Sequence, residues 1–164
     1  MKVKDYIAYH IKKVNETNNY NIGDFITQQK RTLSDFKDNK NTIEEIFERV
    51  RETRFPALPS RLSALFVCSN EENIDTWAYY KYGRNKIEYY IFELSLTGSL
   101  YWVDARYYNE SVANISGISV NKEKAAISYW TSESNKDTIN NEEVEGLFIG
   151  EAKIINVVKK MHLV

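Results

Sequence analysis

Apolar and polar positions fall in blocks along the chain, and each block has a period. Tyr6-Ile7-Ala8-Tyr9-His10-Ile11 is aromatic and β-branched, which is strand composition. A polar stretch from Asn15 to Asn21 follows, then the short apolar element Ile22-Gly23-Asp24-Phe25-Ile26 with its glycine. Residues 30 to 41 are polar and read as a loop or a loose helix. Thr42-Ile43-Glu44-Glu45 has the form of a capping box, and Ile43, Ile46, Phe47 and Val50 continue one apolar face at helical spacing. Pro56 and Pro59 end that helix, and Ser63 to Cys68 reads as a short buried strand. Ser69 and Glu72 suggest a second capping box, with Ile74, Trp77 and Ala78 facing inward.

The second half carries more strand. Ile87 to Leu96 is rich in Tyr, Phe and Ile and predicts a strand. Thr97-Gly98-Ser99 predicts a turn, and Leu100 to Val103 a further strand. Asn121 to Trp130 predicts a helix, residues 131 to 142 a polar loop, and Gly146 to Val158 one or two strands. Strands and helices do not alternate as regular βαβ units, so the expected class is α+β without a parallel sheet. A length of 164 residues suits one domain, and with only 2 Pro and 6 Gly no linker divides it, so residues 1–164 read as a single unit.

Charge and cysteine usage narrow the classes. The formal net charge is −1 with a pI near 6.2, so no basic footprint for nucleic acid is present. A nucleic-acid partner therefore gains no support from charge. The one cysteine, Cys68, has no internal disulfide partner and sits in an apolar run, as a buried thiol in a reducing compartment would. No apolar stretch has the length of a signal-peptide core or a bilayer span, so the expected location is cytoplasmic, with no membrane partner. No phosphate-binding loop, GxGxxG, HExxH, CxxC or GxSxG motif occurs, and no metal is expected.

Three segments together carry a family likeness. The first is Ala8-Tyr9-His10-Ile11 with Tyr20-Asn21-Ile22-Gly23-Asp24-Phe25-Ile26. The second is Ala64-Leu65-Phe66-Val67-Cys68-Ser69 and the helix that reaches Trp77-Ala78-Tyr79-Tyr80. The third is Glu143-Val144-Glu145-Gly146-Leu147-Phe148-Ile149. In order and spacing these resemble the ADP-ribosyltransferases, and the first is especially similar to the small bacterial enzymes that modify rifamycins. The stretch Arg54-Phe55-Pro56-Ala57-Leu58-Pro59-Ser60-Arg61, with Tyr129-Trp130 and the Glu-Gly-Leu-Phe run, also looks like an uncharacterised bacterial and phage family related to that fold.

The resemblance implies a split, antiparallel-rich β core with flanking helices and NAD as substrate. It also implies a macromolecular acceptor, a protein in the first instance. Breaking the N-glycosidic bond of NAD develops positive charge on the ribose, which a carboxylate stabilises. By the resemblance that carboxylate is Glu145, with Glu143 orienting the acceptor. His10 would hold the adenosine ribose, beside Tyr9. Tyr79 or Tyr80 would stack on nicotinamide, and Arg61 or Arg54 would face the phosphates. The family's strand tyrosine is replaced here by Phe66, which stacks but cannot hydrogen-bond.

Other readings of the same residues stand beside these. His10 also fits a core or edge histidine. Glu143 and Glu145 lie in the acidic run Glu142-Glu143-Val144-Glu145, which also fits a solvated face. Arg61 could brace a loop, Tyr79 and Tyr80 could pack a helix end, and His162 fits an exposed, idle side chain. The function classes left open are an ADP-ribosyltransferase, an enzyme that moves a 2′-phosphate from RNA to NAD using Arg51, Arg54 and Arg61, and a non-catalytic binding protein of phage or mobile-element origin acting on a host defence factor.

Overall fold

The aromatic, β-branched opening of the chain forms β1 (Lys2–Lys13) in the computed structural model, which describes residues 1–15, 17, 19–28, 30–113, 121–135 and 143–161. Among the described residues the further strands are β2 (Leu65–Val67), β3 (Tyr89–Asp104) and β4 (Val144–Met161). The helices are α1 (Asn39–Arg54), α2 (Glu71–Lys81), α3 (Arg106–Ala113) and α4 (Lys122–Thr131). The class is α+β, with an antiparallel sheet in the order β1-β3-β4-β2. The loop predicted over residues 131 to 142 lies outside the described residues from 136 onward, as do Glu142 and His162.

The chain gathers into two compact units. Unit 1 comprises residues 1–27, 66–100 and 150–164; unit 2 comprises residues 28–65 and 101–149.

In unit 1, β1 runs antiparallel to β3, with Ala8 opposite Leu94, His10 opposite Phe92 and Lys12 opposite Tyr90. Residues opposite one another share a face, so the other face takes Tyr9 and Ile11. These pack with Cys68, Ile74, Ala78, Tyr89 and Ile91 into the apolar core beneath α2. The pairing carries one β-bulge. Val3 lies opposite Gly98 and Tyr6 opposite Leu96, so β1 holds one residue more than its partner between these pairs. Asp5 takes up the extra residue at φ 51°, a left-handed conformation that Asp tolerates better than most residues, and its N–H donates to Thr97 Oγ1 at 3.3 Å.

The short apolar element expected at residues 22–26 lies along β4. Gly23 N–H donates to the Ile154 carbonyl and Ile26 N–H to the Ala152 carbonyl, both at 2.8 Å. Gly23 turns with φ 97°, where a side chain would be strained.

Three local expectations are corrected. Thr97-Gly98-Ser99 is not a turn. It lies within one continuous strand, because β1 reaches far enough back to pair Lys2 with Ser99, and the Met1 amine donates to the Leu100 carbonyl at 2.7 Å. Leu100 to Val103 is therefore the end of β3 and not a separate strand. The first helix starts before Thr42: Asn41 Nδ2 donates back to the Leu33 carbonyl at 2.5 Å and Asn39 Nδ2 to the Val112 carbonyl at 2.9 Å, which fixes an earlier entry from Asp38. The cap of α2 is Asn70, one residue after Ser69, and its side chain accepts from Asn73 N–H at 2.8 Å.

In unit 2, α1 packs against α3 and α4. Ile43, Phe47 and Val50 are buried as the helical period predicts, and Glu44 is buried with them. Phe47 meets the ring edges of Tyr108 and Tyr129 at centroid distances of 5.4 and 5.3 Å. The Trp130 indole N–H donates to the Phe47 carbonyl at 2.9 Å. We expect Phe47→Ala to lower stability by about 3–5 kcal/mol, because both aromatic partners lose their packing surface; urea unfolding followed by tryptophan fluorescence measures it, and a loss under about 1 kcal/mol would contradict this packing.

Candidate functional site

The densest polar cluster is built in unit 2 around Arg61. The α1 helix ends at Arg54, and the loop that follows is tied back onto it. Arg51 Nη2 donates to Glu48 Oε1 at 2.7 Å and Arg51 Nη1 to the Leu58 carbonyl at 3.1 Å, while Ser60 Oγ donates to Glu48 Oε2 at 2.9 Å. This anchoring brings Arg61, only 5% exposed, against the inner face of the helix. Its Nε and Nη2 fork onto the Glu44 carboxylate at 3.2–3.3 Å. Its Nη1 donates both to the Tyr129 hydroxyl and to Glu145 Oε1, the latter at 2.7 Å. The Tyr108 ring lies 3.9 Å from the guanidinium carbon, a cation–π contact.

Donor directions in this cluster are determined by chemistry. An arginine only donates, so the Tyr129 oxygen accepts from Arg61 and the Tyr129 O–H donates to Glu145 Oε1, at 2.7 Å. Glu145 Oε1 thus accepts two hydrogen bonds. Among the described residues both hydrogen bonds to this carboxylate fall on Oε1 and neither on Oε2, and the side chain keeps 13% of its exposure. A second cation sits close by: Arg31 Nη2 donates to the Arg61 carbonyl at 2.5 Å, and its guanidinium feels both Glu44 and Glu145. Two guanidiniums therefore face two carboxylates. Burial pulls the Arg61 pKa down, but Tyr129, Glu44 and Glu145 outweigh it and hold the group well above its ordinary value. Burial also raises Tyr129 well above the usual phenol range, with Glu145 adding to the rise and Arg61 opposing it, so the hydroxyl keeps its proton.

Glu143 is placed differently. Its carboxylate pairs with Arg106 Nε at 3.2 Å, and Arg106 also forks onto the buried Asp104 carboxylate at 2.6–3.0 Å. Arg54 is exposed at the end of α1.

The remaining expected residues belong to unit 1. His10 is half-buried, and its Nδ1 lies 2.8 Å from the Phe66 carbonyl. Burial brings its pKa from 6.5 to about 4; the Phe66 carbonyl opposes that shift, while Lys81 and Lys12 reinforce it. The ring is therefore neutral near pH 7. Nδ1–H donates to the carbonyl, and Nε2 is an acceptor. Tyr9 is bridged to Cys68 by two backbone hydrogen bonds at 2.8–2.9 Å, and its ring packs on the α2 side of the sheet. Phe66 holds His10 through its carbonyl while its ring stays half-buried. Tyr79 and Tyr80 are 54% and 61% exposed at the end of α2, edge to face at 5.6 Å. Unit 1 also carries a cavity of about 400 Å³ lined by Glu71, Glu72, Asp75, Ile91, Val158 and Lys159. None of the expected residues lines it. Among the described residues no cluster of His, Cys, Asp or Glu is arranged to hold a metal ion.

Sequence reasoning missed Glu44, Tyr108 and Arg31. Glu44 was available as a carboxylate between two apolar-face residues, Ile43 and Phe47. Tyr108 lies on α3, whose start is signalled by Asp104: its carboxylate accepts from Arg106 N–H at 3.0 Å, as a cap does.

A family profile described as "Protein of unknown function (DUF2441)" matches residues 33–160. The chain belongs to this family. The match takes in Arg61, Phe66, Tyr79, Tyr80, Glu143 and Glu145, together with Glu44, Tyr108 and Tyr129, while His10, Tyr9 and Arg31 precede it. No curated protein is significantly similar to the chain in sequence.

Two outcomes follow for this DUF2441 member. Arg61→Met should lower stability by about 3–5 kcal/mol, because it leaves the buried Glu44 carboxylate uncompensated, and adding Glu44→Gln should recover part of that loss; a double variant no more stable than the single would show that the pair is not the source. The folded His10 ring resists protonation to about pH 4, whereas the unfolded ring accepts a proton near pH 6.5. Its stabilisation is complete above pH 6.5 and is lost as the pH falls towards 4, by on the order of 2–3 kcal/mol. Unfolding free energies at pH 7 and pH 5 should therefore differ more in the wild type than in His10→Gln.

Proposed function

We propose that the chain is a cytoplasmic, NAD-dependent ADP-ribosyltransferase that modifies a macromolecular acceptor, a protein before a nucleic acid. The observation that carries this reading is the state of Glu145. A carboxylate at the start of β4 is fixed through one oxygen by Arg61 and Tyr129, and neither of these bonds falls on its other oxygen. That is what a catalytic carboxylate needs: a held orientation and an oxygen left for the reacting atoms. The family likeness of the three sequence segments supplies the reaction, and an ADP-ribosyltransferase-like arrangement of the antiparallel sheet is part of the same proposal.

In the reaction the bond between ribose C1′ and the nicotinamide nitrogen breaks, and nicotinamide leaves with the bonding electrons. Positive charge then develops on C1′ and the ring oxygen, where Glu145 stabilises it. An acceptor X–H attacks C1′, Glu145 Oε2 takes its proton, and the products are X–ADP-ribose, nicotinamide and a proton. His10 Nε2, an acceptor because Nδ1–H is committed to the Phe66 carbonyl, holds a ribose hydroxyl of NAD. Tyr79 or Tyr80 offers an exposed ring for nicotinamide, Phe66 holds His10 through its carbonyl while Tyr9 supports β1 from the opposite face, and Glu143 orients the acceptor from its pairing with Arg106.

A second reading, a non-catalytic binding protein, is favoured by the commitment of Glu145 Oε1 to a buried ion network. The two part on NAD. The enzyme should bind NAD in the micromolar range, about −8 kcal/mol by calorimetry, and His10→Ala should weaken it about tenfold. Glu145→Gln should keep NAD binding and lower NAD turnover by roughly 10²–10³. Unchanged turnover in Glu145→Gln would falsify the catalytic assignment, and no NAD binding by the wild type would favour the binding protein.

A further inference from the structure

The sequence reads Arg61 as a phosphate-facing cation, but four of its five N–H groups are directed elsewhere. Nε and Nη2 serve Glu44, Nη1 serves Tyr129 and Glu145, and one face of the guanidinium lies on Tyr108. Resting on the reading of Glu145 as the catalytic carboxylate, we infer that Arg61 and Tyr129 are positioning residues: they form a cradle that saturates Oε1 and so presents the carboxylate to the substrate through Oε2 alone.

The geometry specifies this closely. A carboxylate oxygen has two lone pairs in the carboxylate plane. Oε1 accepts both Arg61 Nη1–H and Tyr129 O–H, each at 2.7 Å, which fills its hydrogen-bonding capacity. Two donors from different elements converging on one oxygen restrict rotation of the group and hence the direction of the other oxygen. Arg61 is itself immobile, because the Glu44 carboxylate, 1% exposed, grips its opposite edge from α1. Tyr129 is equally fixed: it is fully buried, and its backbone carbonyl accepts from Ser132 Oγ at 2.7 Å. The chain of contacts runs from Glu44 through Arg61 and Tyr129 to Glu145, and Glu44, Arg61 and Tyr129 are all buried.

The cradle can be tested without NAD. In Glu145→Ala, the Arg61 and Tyr129 donors lose their carboxylate, and formate is small enough to replace it. Formate should raise the melting temperature of Glu145→Ala by several degrees and leave Glu145→Ala/Tyr129→Phe and the wild type unmoved. No rise in Glu145→Ala overturns the cradle. The positioning role is read in kinetics on the full chain with NAD. Tyr129→Phe keeps the buried ring and removes one donor, so kcat should fall about ten- to a hundredfold while KM for NAD stays unchanged. Arg61→Lys keeps the charge, loses the fork and should show the same split. Formate should restore part of the turnover of Glu145→Ala but not of Glu145→Ala/Tyr129→Phe. Tyr129→Phe with wild-type kcat, alongside an inactive Glu145→Gln, overturns the positioning role and leaves the NAD reading intact. A wild type that leaves NAD unconsumed overturns the NAD reading and the positioning role with it.

Discussion

A guanidinium taken out of water has to be met by anions and acceptors, because leaving it unpaired costs several kcal/mol, a large share of the stability of a domain of this size. Arg61 sets that condition, and the interior of unit 2 is arranged around it. Four elements each contribute one answer: Glu44 from α1, Tyr108 from α3, Tyr129 from α4 and Glu145 from β4. Arg31 stands beside Arg61, donating to its backbone carbonyl, with burial and Arg61 pulling the Arg31 pKa down and Glu44 and Glu145 opposing. An apolar core in the same place would tolerate small slides of one helix over another. A forked ion pair does not, since hydrogen bonds lose most of their strength with modest misalignment.

The two units treat their buried ionisable groups in opposite ways. Unit 2 keeps Arg61 charged by surrounding it with carboxylates and phenols. Unit 1 gives His10 a carbonyl, two nearby lysines and little water, and the ring responds by staying neutral. A neutral imidazole with its Nδ1–H committed has a defined tautomer, so its remaining nitrogen can only accept. A charged guanidinium with all edges occupied can only hold what already touches it. One group is set up to receive a donor from outside, the other to support its neighbours.

Much of the fold was legible because it depends on short-range periodicity. Ile43, Phe47 and Val50 announced α1, and Asn121 announced α4: its side chain accepts Lys124 N–H at 3.0 Å, as a cap should. The turn expected at Thr97-Gly98-Ser99 fails for the complementary reason. Local turn chemistry favoured a break, but pairing with a strand some 97 residues away holds the segment extended. The candidate site divides in the same way. His10, Arg61 and Glu145 were legible as chemistry-bearing residues in a family-like order. The partners of Arg61 were not, since they lie 17, 68 and 84 residues away in the chain and no spacing rule connects them. Glu44 was hidden in plain view, as a carboxylate on what reads as a helix flank. A single sequence gives no sign that an acidic side chain next to an apolar stripe faces inward until its cation is known.

The bulge at Asp5 has a consequence for how the chain can change in length. In a two-residue repeat, adding or removing one residue exchanges the faces of everything that follows. Ahead of the bulge the even-numbered Lys2 lies opposite the odd-numbered Ser99; beyond it, even pairs with even, and His10 faces Phe92. The extra residue at Asp5 is thus a phase shift of half a period, inserted between the tethered amino terminus and the part of β1 that carries His10. Deleting Asp5 would leave Lys4 opposite Thr97 and keep both registers, Lys2 on Ser99 and His10 on Phe92. A residue added without such a bulge would instead turn His10 and Lys12 towards the apolar core beneath α2. The bulge thus lets β1 hold one residue more than its partner while the histidine keeps its face.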